Sequence, residues 1–359
     1  MAAKHYLAGD PEVGKFWSKR VATEAIQRTQ IAKFMGQDGD SLGCIEPDTE
    51  KGGGDQVVIN LRMKLTGDGV GETESQEGNE EEIVTHIDTC TINELSHATS
   101  RKTGMSDQRV PWSVGQQCND ALADWAAERL DTVAFNHLCG YTLTTNGKYT
   151  GWNTIQAPTT GRRLWAGGGI SDDDSLASDD VFTLSLIDQA IEIAETGSSL
   201  GLPPIRPCNV KGVGKMYVCF LHPAQVTQLR TASGSQWQDI YQAMLSGKED
   251  SKNNPIFTGA LGVYNNTVLH KSSYIRKGVT NAGAEKANTR RAVFAGAQSL
   301  AIAFGRGYGP GEWKNNEELF DYKRRVGHNV QTIWGVKKTR FNSNDFGTIT
   351  LSTYAADAA

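Results

Sequence analysis

The sequence predicts an α+β fold that carries a long β-ribbon, and three observations predict it. First, Val57, Ile59, Leu61, Met63 and Leu65 alternate with Val58, Asn60, Arg62 and Lys64, the period-two pattern of a strand with one apolar face. Second, a helical stretch runs over 114–139. At 1.5 Å per residue it would span about 39 Å, against an average globular helix of about 11 residues. Third, the chain returns to β-rich sequence over 327–332, 333–341 and 347–354 after a strand–helix unit near 216–229.

Taken in order, 16–35 reads as a helix, with Ala22, Ile26, Phe34 and Met35 at helical spacing. Glycines at 36–43 break it. Gly52, Gly53 and Gly54 follow, either as an ordinary loop or as a hinge, because glycine accepts large backbone changes without steric cost. The alternating strand comes next, and a second β run at 83–92 is its partner. The 17 residues between them, 66–82, hold four glycines and six glutamates. Hairpin loops usually take about 2–5 residues, so this connection is either disordered or an extended contact arm. A two-stranded ribbon is marginal in water and needs a surface to rest on, which a lone copy does not obviously supply.

Pro111, Ser113 and Gln116 set a capping box at the start of the long helix, and Gly140 sits where a C-terminal cap glycine belongs. Leu122, Trp125, Ala126, Arg129, Leu130, Val133 and Leu138 do not form one clean stripe, which suits a helix crossing several elements. Over 140–180 the chain is turn-rich, and Asp172, Asp173 and Asp174 read as a solvated turn because a calcium loop needs spaced ligands. A helix follows at 182–194, with Leu184, Ile187, Ile191 and Ala194 on one face. A buried strand at 216–221 ends at His222 and Pro223, and Pro223 suits the first turn of a helix over 224–229. Further strands are expected at 263–264, 267–270, 292–295 and 301–304. No repeat of solenoid length is present.

Length and composition narrow the function. The 359 residues allow two or three domains, and 38% hydrophobic content supports a sizeable core. A net charge of −5 argues against coating nucleic acid, which needs Lys and Arg on phosphates, but not against enclosing it. Six cysteines without CxxC spacing read as reduced, mostly buried thiols rather than a disulfide scaffold or zinc site. Residues 1–10 lack a cationic stretch followed by an apolar run, and no apolar stretch reaches membrane-spanning length, so synthesis and assembly in the cytoplasm are expected, with no membrane partner.

Catalytic signals are weak. The glycine-rich run from Gly305 to Gly311 lacks the Lys-Ser/Thr ending of a phosphate loop, and Pro310 removes a donor. His222 has no nucleophile pattern beside it and reads as a strand-end histidine satisfied by backbone. His86 and His97 are too far apart to imply a metal pair. No catalytic residue, cofactor or metal ligand set is expected.

One charge pattern stands out. Glu72, Glu74, Glu77, Glu80, Glu81 and Glu82 make the ribbon tip acidic, while Lys323, Arg324, Arg325, Lys337, Lys338 and Arg340 make the C-terminal region basic. These are either two independent solvated faces or the two sides of a contact between copies, which would set register more than strength.

The order of helical arm, glycine hinge, acidic-tipped ribbon, long helix, α/β unit and β-rich return resembles the Hong Kong ninety-seven-type capsid fold of tailed phages. The sequence is similar in particular to major capsid proteins of the coliphage N-four type. The carrying runs include Leu61-Arg62-Met63-Lys64-Leu65-Thr66-Gly67-Asp68-Gly69-Val70, Met105-Ser106-Asp107-Gln108-Arg109-Val110-Pro111 and Asp120-Ala121-Leu122-Ala123-Asp124-Trp125. Later ones are Phe220-Leu221-His222-Pro223, Asn254-Pro255-Ile256-Phe257-Thr258-Gly259 and Gly335-Val336-Lys337-Lys338-Thr339-Arg340-Phe341. The resemblance extends over roughly 17–354.

The resemblance implies an N-terminal arm over 1–54, an E-loop with flanking strands over 55–105, and a spine helix with peripheral (P) domain over 106–205. It implies an axial (A) domain over 206–305 and a β-rich return to the P domain over 306–359. It further implies homo-hexamers and pentamers closing into an icosahedral virion shell around double-stranded DNA, without sequence-specific binding and without catalysis. Portal, scaffolding and decoration proteins are the implied partners. The arm and ribbon would overlap neighbouring copies, with hinges at 52–54 and 67–71. Two rival readings are a nanocompartment shell on the same fold and an α/β enzyme using His222 or the 305–311 loop.

Overall fold

The computed structural model describes residues 28–36, 39–46, 54–61, 69–72, 75–78, 80–81, 86–101, 105, 108–197, 202–210, 214–232, 260–308, 313–322 and 324–357. In chain order these form β1 (Met35–Gly36), β2 (Gly43–Glu46), β3 (Gln56–Leu61), β4 (His86–Thr91), β5 (Asn93–Arg101), helix α1 (Val114–Leu138), the short α2 (Gly147–Thr150), β6 (Arg163–Trp165) and α3 (Leu184–Thr196). Then come β7 (Cys208–Val210), β8 (Gly214–Leu221), α4 (Pro223–Ala232), β9 (Ala260–Tyr264), β10 (Thr267–Lys271), β11 (Thr289–Ala295), β12 (Leu300–Phe304), β13 (Lys314–Phe320), β14 (Arg325–Lys338), β15 (Arg340–Phe341), β16 (Asn344–Asp345) and β17 (Thr348–Tyr354).

Two sheets organise these elements. One has the order β6-β17-β11-β8-β10-β9, with β7 added to β8. Its central strand β8 reads Tyr-Val-Cys-Phe-Leu because both its faces are covered. Val218 and Phe220 point toward α1, and Tyr217, Cys219 and Leu221 toward α3 and α4. A two-residue turn joins β9 to β10, with Asn265 and Asn266 both at positive φ, the conformation that matches hairpin twist and that Asn tolerates. The other sheet has the order β1-β2-β12-β14-β13, and β5 pairs with the opposite edge of β14. The predicted strands at 327–332 and 333–341 are thus mostly one 14-residue strand, β14. The boundary expected between Thr332 and Ile333 is not a break in the strand, which pairs without interruption from Arg325 to Lys338.

Helix α1 starts where expected, Ser113 Oγ accepting the Gln116 N–H at 3.4 Å, and Gly140 follows it at φ +60°. Every residue from Leu130 to Gly140 is buried, charged and polar ones included. That explains its mixed sequence character: this half of the helix has no solvent face. Asn136 donates to Tyr149 O at 3.0 Å and accepts from Arg276 Nε at 2.6 Å, and His137 Nε2 lies 2.8 Å from Thr150 O. Burial lowers the His137 pKa to about 4, so the ring is neutral at physiological pH.

Two expectations are corrected here. Of the helix expected over 16–35, the described part is not one helix: Arg28 closes a helical turn, Ala32–Phe34 form a 3-10 turn, and Met35 is already in β1. The Asp131 carboxylate causes the break. It accepts the N–H groups of Gln30 at 2.9 Å and Ile31 at 3.2 Å, which a continuing helix would have turned inward. Ile31 and Phe34 then enter the core, Phe34 packing edge-on against Phe220. Within the arm expected over 1–54, residues 28–36 and 39–46 are built into the body, β2 pairing with β12. Residues 1–27, 37–38 and 47–53 lie outside the described residues.

The second correction concerns the acidic triplet. Asp173 is fully buried, not solvated. It meets Arg291 Nη2 at 2.7 Å, Arg163 Nη2 at 2.6 Å and the Trp165 indole N–H at 3.2 Å. Arg291 in turn donates to Gly140 O at 2.9 Å. Although burial opposes ionisation, the two guanidinium groups hold the Asp173 pKa below its ordinary value. Spacing along the chain could not reveal this, because the arginines arrive from two separate strands.

Two outcomes follow. Burial raises the Asp131 pKa to about 6, the N–H groups of Gln30 and Ile31 opposing the shift. A raised folded-state pKa means stability that is full below about pH 4 and lost as pH rises through about 6. Asp131→Asn should remove that slope, gaining up to about 3 kcal/mol relative to the parent between pH 4 and 7, read by denaturant unfolding of the dissociated subunit. Arg291→Met should cost about 3–5 kcal/mol in the same assay, since it strips a buried carboxylate of its main partner.

Candidate assembly interface

The ribbon β3–β4 is antiparallel, with Gln56 opposite Thr91 and Leu61 opposite His86. Alternation along β3 buries Val57, Ile59 and Leu61, as the sequence period predicts. The surface beneath them belongs to the same chain: Ala301, Ala303, Ile333, Phe341 and Phe346. The expectation that the ribbon lacks support in a lone copy is thus corrected for its base. Its other face remains open, with Val58 at 51% and Ile87 at 65% exposure. Of the acidic tip, Glu72, Glu77, Glu80 and Glu81 are described and exposed, while Glu74 and Glu82 lie outside the described residues, as do Gly52 and Gly53. Gly54 is exposed, and an added Cβ would meet only Gln56 O, at 4.0 Å.

The basic residues separate into two groups. Lys337, Lys338 and Arg340 are engaged within their own chain. Lys337 pairs with Asp88 and donates to Thr89 O at 2.9 Å. Lys338 is 2% exposed and pairs at 2.8 Å with Asp345, which is fully buried. Burial lowers the Lys338 pKa, with Asp345 opposing that shift. Arg340 reaches Asp345 at 3.4 Å and donates to the Ser343 carbonyl. Arg324 and Arg325, by contrast, are exposed at the end of the β13–β14 hairpin, where Arg324 lies 3.8 Å from Asp321; Lys323 lies outside the described residues.

The β13 arm of that hairpin leaves no periodic signal in the sequence. β13 has six of its seven residues exposed and no apolar face to give a period-two signal. At its end Leu319 and Phe320 are exposed, and Tyr322 is 100% exposed. Asp321 and Tyr322 both hold positive φ, a conformation costly for a bulky side chain. An apolar cluster in an uncommon backbone conformation, remote from the core, is the kind of surface that soluble monomers avoid and interfaces use.

Candidate catalytic groups are built otherwise. His222 Nδ1 accepts the Ala224 N–H at 3.2 Å, capping the start of α4 as a backbone-satisfied histidine, and burial lowers its pKa to about 4. The described cysteines are free thiols, and burial raises that of Cys90 to about 12. Among the described residues no helix is long and apolar enough to cross a membrane, and no His/Cys/Asp/Glu group could hold a metal ion.

Comparison with known proteins agrees with this architecture. The major capsid protein of Pseudomonas phage KPP25 is 27% identical over 363 residues, covering 93% of each chain. The capsid of Ralstonia phage GP4 superposes with a TM-score of 0.80 at 28% identity, over the whole of both chains. The cyanophage Pam1 capsid asymmetric unit, at 18% identity, shares the fold with a TM-score of 0.67 over 100% of this chain and 96% of that one. The fold is therefore the Hong Kong ninety-seven-type capsid fold that the resemblance implied. Since the phage capsid protein family matches residues 7–357, nearly the whole chain, the protein belongs to that family.

Proposed function

We propose that this chain is the major capsid protein of a tailed phage, the repeating subunit of an icosahedral shell of hexamers and pentamers that encloses double-stranded DNA. The family match over 7–357 carries this reading. Its physical counterpart is apolar surface that one copy leaves open: Val58 and Ile87 on the ribbon, and Leu319, Phe320 and Tyr322 at the hairpin end. Covering such surface with neighbouring copies supplies a non-directional drive for association. Charge then selects the register. The acidic tip, with Glu72, Glu77, Glu80 and Glu81 exposed, would meet the exposed Arg324 and Arg325 of an adjacent copy. Lys337, Lys338 and Arg340 take no part in that contact, because their partners lie in their own chain.

The role is structural rather than catalytic. A net charge of −5 suits a wall that encloses DNA without gripping it. Assembly would take place in the host cytoplasm, with portal, scaffolding and decoration proteins as the further partners.

Electron microscopy of the purified protein should reveal closed, many-copy particles, and a small discrete oligomer with turnover would overturn the reading. Deleting 66–82 should leave a subunit that folds but closes no shells; normal particles from that variant would remove the ribbon from the mechanism. Arg324→Glu combined with Arg325→Glu should weaken assembly and reduce its salt dependence. If both stayed at parental values, the charge contact would be excluded.

A further inference from the structure

The base of the ribbon is attached to the body at two polar points. The first is at Thr91. Asn153, just after α2 and itself buried, accepts the Thr91 N–H at 2.9 Å through Oδ1. Its Nδ2 donates to Thr91 O at 3.0 Å, Gly151 O at 2.8 Å and Val336 O at 3.1 Å. One side chain thus replaces the ladder partner of β4 and ties it to β14 and to the segment following α2. The second point is at Asp88, where one carboxylate oxygen pairs with Lys337 and the other accepts the Arg340 N–H at 3.1 Å. At the first point the backbones also approach closely: a Cβ on Gly335 would lie 2.1 Å from Thr91 O.

These points sit three residues apart on one strand, about 10 Å at the rise of a β-strand. Two fixed points on a strand define its direction. The apolar contacts of Val57, Ile59 and Leu61 with Ala301, Ala303, Ile333, Phe341 and Phe346 hold the ribbon against the body, but burial by itself is non-directional. The polar attachments supply the direction that burial does not. The ribbon carries open apolar surface outward from this base, so its angle to the body decides where a neighbouring copy is met.

We propose that Asn153 and the Asp88–Lys337 pair are positioning residues that set the angle at which the ribbon leaves the body, and that this angle sets the curvature, and hence the diameter, of the assembled shell. The inference rests on the assembly reading above. It places control at the base of the ribbon rather than in the glycines at 52–54. None of the three residues needs to touch another copy; each acts through the ribbon.

The test compares particles from the full-length parent, Asn153→Ala, the pair variant Asp88→Asn with Lys337→Met, and Lys337→Arg. Diameter distributions are read by electron microscopy and sedimentation, and the thermal midpoint of each dissociated subunit is read alongside. The pair variant removes charge but keeps the Lys337 stem and the Asp88 acceptor, so its subunit should melt near the parent. Its particles should show a shifted or broadened diameter distribution, or remain open, as should those of Asn153→Ala. Lys337→Arg should restore the parental size class. Parental diameters in the pair variant would overturn the inference while leaving the assembly reading intact, and this holds even if Asn153→Ala fails to fold. A parent that forms no closed particles would overturn both.

Discussion

Burial of the last nine residues of α1, Leu130–Leu138, on all sides is the constraint on which the rest of the structure depends. A helix without a solvent face has no water for its polar side chains, so each must find a partner inside the chain. Asp131 takes the N–H groups of Gln30 and Ile31 and thereby ends the N-terminal helical turn. Asn136 and His137 take the carbonyls of Tyr149 and Thr150 and thereby fix α2. The carbonyl of Gly140 takes Arg291, which brings Asp173 and Arg163 with it. One helix thus holds the N-terminal segment, the turn after it and a strand of the larger sheet.

That rigid centre explains how a mobile function can be built on a well-packed body. A shell places one sequence in several neighbouring environments, so some elements must be fixed and others must reach. The two sheets pack on α1 and are fixed. The β3–β4 ribbon has one covered side and one open side, and β13 is exposed along most of its length. Open surface on the ribbon and at the hairpin end carries the exposed apolar residues Val58, Ile87, Leu319, Phe320 and Tyr322. The contacts proposed between copies would thus fall on surface outside the packed core.

Ionic groups divide along the same line. Lys338–Asp345 and Arg291–Asp173 are buried and hold separate strands together, where loss of one partner leaves an uncompensated charge. Arg324 and the described glutamates of the tip are exposed, where pairing is weak and screened by salt. The first set contributes to the integrity of the subunit; the second is the set proposed above to select a neighbour.

The sequence by itself determined the elements whose signal is local. The β3 alternation, the Ser113 cap, the length of α1, the β8–α4 unit around His222-Pro223 and most later strands could be read from periodicity and capping chemistry, which act over a few residues. The resemblance of long ordered runs determined the family. Only the tertiary structure decided which charges are free. Lys337, Lys338 and Arg340 look like a solvent-exposed basic run, and Asp172 to Asp174 like a solvated turn, until strands far apart in sequence bring Asp88, Asp345, Arg163 and Arg291 to them. It likewise decided that 28–36 and 39–46 join the body, and that Asn153 holds the base of the ribbon. A polar residue carries no local mark of burial. Its partner is set by the packing of distant segments, and that information appears only when the chain is folded.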